Sequence, residues 1–245
     1  MSEASRESVL AARGVHKHFG ALPVLQDVDF SMHGDEAVGI VGPNGAGKTT
    51  FLSVLVGALS PASGTVTFRG RDVTALPAAE RCRQGLVRTH QIPRPFNGMS
   101  VFENVFVAAA NSRRYSREIA YQGALDSLAL TGMMKLANRR AETLGLLDRK
   151  RLELARALAT NPEVLLLDEI GGGLSDEEAA DLVAVIRELR RRGIAIVWIE
   201  HIVHLLLQVT GRLVCMDAGR VIADGDPEEV MSDSAVIEAY LGGAR

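Results

Sequence analysis

The alternation of apolar and polar positions changes character along the chain. It opens with short runs, SVLAARGV, VLQDVDFSM, EAVGIVG and GTVTFRG. Each is rich in β-branched residues and bounded by turn formers, which predicts strands of a mixed sheet. A loop of small residues and then a helix follow EAVGIVG. From Val101 to Thr160 the pattern becomes helical, in long Ala/Leu/Arg/Glu segments with no run of strand type. Strand and helix then alternate: VLLLD, DEEAADLVAVIRELRRR, IAIVWIE and a further helix. The C-terminal part returns to strands in RLVCMD and RVIADGD and closes in short helices. Such alternation implies parallel strands covered by helices. The expected organisation is a single α/β domain spanning 1–245. Its core takes about 1–97 and 161–245, and a helical insertion takes about 98–160.

Composition narrows this little. At 245 residues and 47% hydrophobic, the chain holds enough apolar material for one large domain or a domain with a subdomain. A net charge of −3 gives no sign of a nucleic-acid partner, and the arginine clusters at Arg113–Arg117 and Arg190–Arg192 read as solvated helix faces. The start, MSEASRESV, is polar and lacks the apolar core of a signal peptide. The late run IAIVWIEHIVHLLLQV is broken by Glu200, His201 and His204 and falls short of the ~20 apolar residues of a membrane span. A soluble protein is expected, held at any membrane by something else. Cys82 and Cys215 form no metal-type pair, which suits a reducing compartment.

The candidate chemistry lies in two segments. GPNGAGKTT, Gly42 to Thr50, fits the phosphate-loop pattern G-x-x-x-x-G-K-[ST], between an apolar strand and a helix as that pattern requires. Gly42, Asn44, Gly45, Ala46 and Gly47 form the loop, whose backbone N–H groups converge on phosphate oxygens at a helix N-terminus. Lys48 is placed to neutralise β- and γ-phosphates, Thr49 to ligate Mg²⁺ and Thr50 to donate to the α-phosphate. VLLLDE, Val164 to Glu169, reads as a buried strand ending in two acids. Asp168 would reach the Mg²⁺, and Glu169 would polarise an attacking water.

With GPNGAGKTT, RLELARALAT, LLLDE, WIEH and AVIEAYLGG, nearly the whole chain resembles the ATP-binding subunit of an ABC transporter. Within that family it is similar to the ATPases of branched-chain amino acid importers. The resemblance implies a P-loop NTPase core with an antiparallel β subdomain and a helical subdomain carrying a signature loop. It implies ATP and Mg²⁺ as cofactors and catalysis by Glu169, His201 and Lys48. Phe19 would stack on adenine. Gln91 would sense Mg²⁺ and the γ-phosphate, and His201 would hydrogen-bond that phosphate. Implied partners are integral permease subunits, a second ATP-binding subunit and, indirectly, a periplasmic or surface solute-binding protein. The implied location is the cytoplasmic face of the inner membrane, peripheral through the permease. The segment after Gln91, with Phe96 and Phe102, would face the permease or pack in the core.

The sequence also departs from the family pattern. Ile170 stands where a proline is expected, and Ser175 takes the usual aspartate position of the D-loop. The signature loop LSGGQ reads Leu144, Gly145, Leu146, Leu147, Asp148. In the family this loop faces the nucleotide of the partner in a head-to-tail dimer. Here it offers no serine hydroxyl, brings side chains where backbone should approach phosphate, and adds an acid. Arg149, Lys150 and Arg151 would still lend positive potential, and Asp148 would alternatively cap the following helix. A heterodimer with a partner of intact signature is therefore favoured over a homodimer. Alternatives are an ATPase of lipopolysaccharide export, a regulatory subunit with little turnover, and a loop that tolerates the change.

Overall fold

The computed structural model describes residues 8–112 and 116–242. Most of the polar N-terminal start, Arg113 and Arg114 of the first arginine cluster, and Gly243 of the C-terminal motif lie outside them. In chain order the elements are β1 (Leu10–Phe19), β2 (Leu22–Met32), β3 (Ala37–Val41), α1 (Lys48–Leu55), β4 (Ser63–Phe68), β5 (Arg71–Asp72), α2 (Ala78–Gln84) and β6 (Leu86–Arg88). There follow α3 (Val101–Ser112), α4 (Arg117–Leu130), α5 (Leu146–Leu158), β7 (Val164–Asp168), α6 (Asp176–Arg191) and β8 (Ala195–Ile199). The chain closes with α7 (Val203–Leu206), β9 (Arg212–Asp217), β10 (Arg220–Gly225), α8 (Pro227–Ser232) and α9 (Ser234–Gly242).

The early strands do not form one mixed sheet. β1, β2, β4 and β5 make an antiparallel sheet of order β2-β1-β4-β5, while β3 joins the main sheet of order β10-β9-β3-β8-β7-β6. There β3 pairs in parallel with β8 and β9, and β7 pairs in parallel with β8 and β6. The strands AVGIV, VLLLD and AIVWI are buried at every position, as expected of a sheet covered on both faces. The periodicity gave no warning of β6, which is three residues long, or of the short helix α2. The helix expected after IAIVWIE is a single turn, α7. Trp198 lies fully buried in β8.

Three apolar clusters hold these layers. One fills the space between the two sheets around α1, where Phe30 and Phe51 meet edge to face at 5.7 Å. A second packs α5 and α6 on the opposite face of the main sheet. The third lies within α3, α4 and α5 and the turns joining them, running from Val101 to Ala159. Both cysteines are free; burial pushes the Cys215 thiol up to about 11, so it stays protonated at neutral pH. Among the described residues no helix is long and apolar enough to cross a membrane.

The C-terminus of α1 is finished by a residue from α2. Arg81 is 1% exposed and donates to Val54 O, Leu55 O, Thr74 O and Leu76 O at 2.6–3.0 Å. It thus caps the last two carbonyls of α1, Val54 O (which also accepts from Gly57 N at 3.1 Å) and Leu55 O, and ties them to the loop carbonyls of Thr74 and Leu76. Burial lowers its pKa, and Asp72 opposes the shift. Arg81→Met should take from Leu55 O, Thr74 O and Leu76 O the guanidinium donor they share, and destabilise the fold by ~3 kcal/mol or more. A urea-denaturation midpoint unchanged from wild type would show that water replaces the guanidinium.

Candidate active site

The phosphate loop is fixed at both ends before it meets any ligand. Buried β3 delivers it, and α1 begins at Lys48. Gly47 is the N-cap residue, with φ 99° and no side-chain cap, so the α1 amides are not closed off by a side chain. A Cβ on Gly47 would sit 2.8 Å from Val24 O, because β2 passes directly behind the loop. Ala46 is buried and its carbonyl accepts from Gly219 N at 3.1 Å. Asn44 and Gly45 are exposed, as is Thr49, and Thr50 is half-buried. Lys48 is 5% exposed and folds back over the loop, donating to Gly42 O at 2.6 Å and Pro43 O at 2.9 Å. Burial pulls its pKa below the usual lysine value, and Glu169 leads the charges that oppose the shift.

The two acids after VLLL point to different places. Asp168 is fully buried. Its Oδ1 lies 3.4 Å from Thr49 Oγ1, and its Oδ2 accepts from Arg88 at 2.5 Å. The same guanidinium donates to Ser53 Oγ at 2.7 Å, tying β6, β7 and α1 together. Glu169 leaves the strand with φ 49°, a left-handed conformation that non-glycine residues seldom adopt. Its backbone N–H donates to Ile199 O at 2.9 Å. Its carboxylate meets Gln91 Nε2 at 2.5 Å through one oxygen and His201 Nε2 at 2.9 Å through the other. β7 and β8 end level with each other, Asp168 beside Ile199, and this brings Glu169 and His201 within reach. The Thr49 hydroxyl and the Asp168 carboxylate are hard oxygen donors, the type Mg²⁺ takes alongside phosphates and water. Gln91 turns its amide N–H toward Glu169 instead.

Phe19, at the end of β1, is 50% exposed, and the Lys17 ammonium lies 5.4 Å from its ring centre. Phe96 is exposed, with the Arg156 guanidinium 5.2 Å from its ring centre. Phe102 instead packs on Phe106 and Tyr121 between α3 and α4.

Leu144 to Asp148 lie at the start of α5. Leu144 is buried, and Leu146 is 49% exposed. Gly145 is the N-cap residue and provides no side-chain cap. Asp148 sits inside the first turn, so it is not the cap. The three following cations are all engaged within the chain. Arg149 donates to Leu144 O and Glu142 O, Lys150 to Ile170 O and Gly172 O, and Arg151 pairs with Asp181. Ser175 caps α6 reciprocally with Glu178, a local use for the hydroxyl at that position.

A phosphate-type loop, two strand-end carboxylates and a helical insertion thus occur in one α/β chain. Residues 25–171 match the ABC transporter family, and residues 220–245 match the branched-chain amino acid ATP-binding cassette transporter family. The chain belongs to the ABC transporter family of ATP-binding subunits. It is 36% identical to the high-affinity branched-chain amino acid transport ATP-binding protein LivG of Salmonella typhimurium, over 97% of this chain and 99% of LivG. It is 32% identical to the lipopolysaccharide export system ATP-binding protein LptB of Haemophilus influenzae, over 96% and 98% of the two chains. A crystal structure of the ADP conformation of an ABC transporter cassette superposes with a TM-score of 0.86, at 32% identity over 96% of this chain and 99% of that one.

This ATPase hydrolyses ATP as a transport subunit, and further residues outside its motifs contact the candidate site. Arg88 sits in a strand too short to announce itself. His90 Nδ1 meets Glu153 Oε1 at 2.8 Å, and Glu153 also pairs with Arg156, which donates to Arg94 O. The segment around Gln91 is thereby tied to α5. Burial works to raise the Glu153 pKa, but His90 and Arg156 together hold it below the usual carboxylate value. Tyr240 Oη in α9 accepts from Gly42 N at 2.9 Å. The region matched to the branched-chain amino acid family therefore reaches the phosphate loop itself.

Lys48→Ala should remove the buried cation of the loop and weaken MgATP binding more than tenfold. Titration with a fluorescent ATP analogue checks this, and unchanged affinity would remove Lys48 from the phosphate site.

Proposed function

We propose that this ATPase is the motor of an importer for branched-chain amino acids or related small solutes. The observation that carries the hydrolytic part of the reading is Glu169 held between Gln91 and His201. A carboxylate with its neighbours in place on both oxygens is prepared to take a proton from a positioned water. Lys48 and the loop from Gly42 to Thr50 hold the phosphates, Phe19 stacks on adenine, and His201 hydrogen-bonds the γ-phosphate. Thr49 and Asp168 hold Mg²⁺, with Gln91 as a further contact. When bound, the ion draws charge from the β- and γ-phosphate oxygens.

Two cassettes pack head to tail, so that Leu144 to Asp148 face the partner's nucleotide. Gly145 has no hydroxyl there, and the cations behind it are committed elsewhere in the chain. A heterodimer with a second ATPase of intact signature then contains one strong and one weak site, whereas a homodimer contains two weak ones. Permease subunits hold the pair at the cytoplasmic face of the membrane, and a solute-binding protein delivers the cargo on the other side. The exposed Phe96 and Ile92, in the segment after Gln91, are where the permease would dock. The same bare Gly145 favours a second reading, a nucleotide-binding regulatory subunit with little turnover.

Glu169→Gln should keep MgATP binding and lower turnover at this chain's own site on the order of 10²-fold or more. Single-turnover hydrolysis at the wild-type rate would exclude Glu169 as the base. Gly145→Ser, Leu146→Gly, Leu147→Gly and Asp148→Gln, combined, should raise steady-state ATPase of the isolated chain by up to ~10²-fold, the scale of one regained transition-state donor. Equal rates for wild type and the restored loop across protein concentrations would show that the loop is not defective.

A further inference from the structure

The segment just after Glu169 is gripped from two sides by buried opposite charges. Lys150 lies in the first turns of α5 and is 5% exposed. Its Nζ donates to Ile170 O at 2.8 Å and to Gly172 O at 2.5 Å. Between those carbonyls, Gly171 N donates to Glu200 Oε1 at 2.5 Å, and Glu200 is 2% exposed. The one peptide group between Ile170 and Gly171 is thus held by the ammonium at its carbonyl and by the carboxylate at its N–H, and the ammonium also holds the carbonyl of Gly172. Burial lowers the Lys150 pKa and raises that of Glu200, and each charge counters the shift of the other. Buried charges persist only with such partners. A Cβ on Gly171 would lie 2.9 Å from Glu200 Oε1 and 3.1 Å from Leu205 Cδ1, so the carboxylate is fitted to a bare backbone.

The positions of these groups in the chain give the grip its meaning. Glu169 directly precedes the held segment, and His201 directly follows Glu200. Both members of the Glu169–His201 contact are therefore anchored one residue away. Lys150 belongs to the same helix that Gly145 opens, so any shift of α5 acts on the backbone next to Glu169.

We infer that Lys150 is a positioning residue for hydrolysis, which with Glu200 fixes the backbone of residues 170–172 and thereby sets Glu169 against His201. The inference rests on the proposed role of Glu169 as base. Lys150 touches no reacting atom in this scheme. Its loss should lower turnover through misplacement, on the order of 10- to 10²-fold, while nucleotide binding by the phosphate loop is kept.

The test uses the full chain as wild type, Lys150→Met, Lys150→Arg, Gly171→Ala and Glu169→Gln. Affinity for MgATP is titrated, steady-state ATPase gives kcat and KM, and amide hydrogen exchange is followed without nucleotide. Lys150→Met and Gly171→Ala should each lose kcat about 10-fold or more with KM changed less than about threefold. Exchange should quicken in peptides covering 169–173 and stay unchanged in β3 and β8. Lys150→Arg, which can still donate to both carbonyls, should recover most of kcat. Wild-type kcat in Lys150→Met or Gly171→Ala overturns the inference, and so does unchanged exchange at 169–173. Joint loss of kcat and affinity with faster exchange throughout would mark Lys150 as structural only, and Gly171→Ala then decides alone. Failure of the underlying reading shows separately, as a Glu169→Gln rate equal to wild type, while the exchange measurement still judges the grip.

Discussion

The nucleotide site depends on the parallel pairing of β7 with β8. These strands run buried through the sheet and stop level, and Glu169, the first residue beyond β7, meets His201, the second beyond β8, at 2.9 Å. Neither residue could be brought there by a loop of its own choosing. The strands are fixed by apolar packing on both faces, so the geometry of two polar side chains is inherited from the register of two apolar ones. The positive φ of Glu169 is accepted within this frame, where its N–H is held by Ile199 O and its carboxylate lies between Gln91 and His201. Strained backbone of this kind persists where surrounding structure over-determines it.

Asp168 illustrates a second requirement, that a fully buried carboxylate needs compensation. Arg88 supplies it in this state, and Ser53 holds the same guanidinium from α1. The oxygen nearer Thr49 is left toward the phosphate loop. One acid thus has one oxygen on Arg88 and the other toward Thr49, and the strand order places β6 on the Arg88 side.

Legibility in the sequence followed the length and regularity of the signal. The phosphate loop was readable from its motif, VLLLD and IAIVWIE from their continuous apolar runs with marked ends, and α6 from its amphipathic period. β6 and α2 were not, since three and seven residues show no period, and Arg88 and Arg81 were lost with them. The separation of β3 from its sequence neighbours was hidden because a strand's run of residues does not state which strand it will pair with. The contacts of Lys150 and Glu200 lay beyond reach for another reason. A basic residue after a loop reads as solvent-facing charge, and only the fold reveals that carbonyls of a distant turn wait underneath. The side chains of Arg149 to Arg151 are likewise held by partners in the chain, carbonyls for the first two and Asp181 for the third. Asp148 failed as a cap by a shift of three positions, with Gly145 in the capping place.

The hydrogen bond between Gly42 N and Tyr240 Oη joins positions 198 residues apart. As the ribosome makes the chain, the phosphate loop emerges long before its acceptor does. The earliest glycine of the nucleotide cradle therefore acquires its final partner only when α9 has been synthesised and has docked. Any truncation that removes α9, and any fusion that keeps it from docking, is accordingly an alteration of the nucleotide site, however remote it looks along the gene.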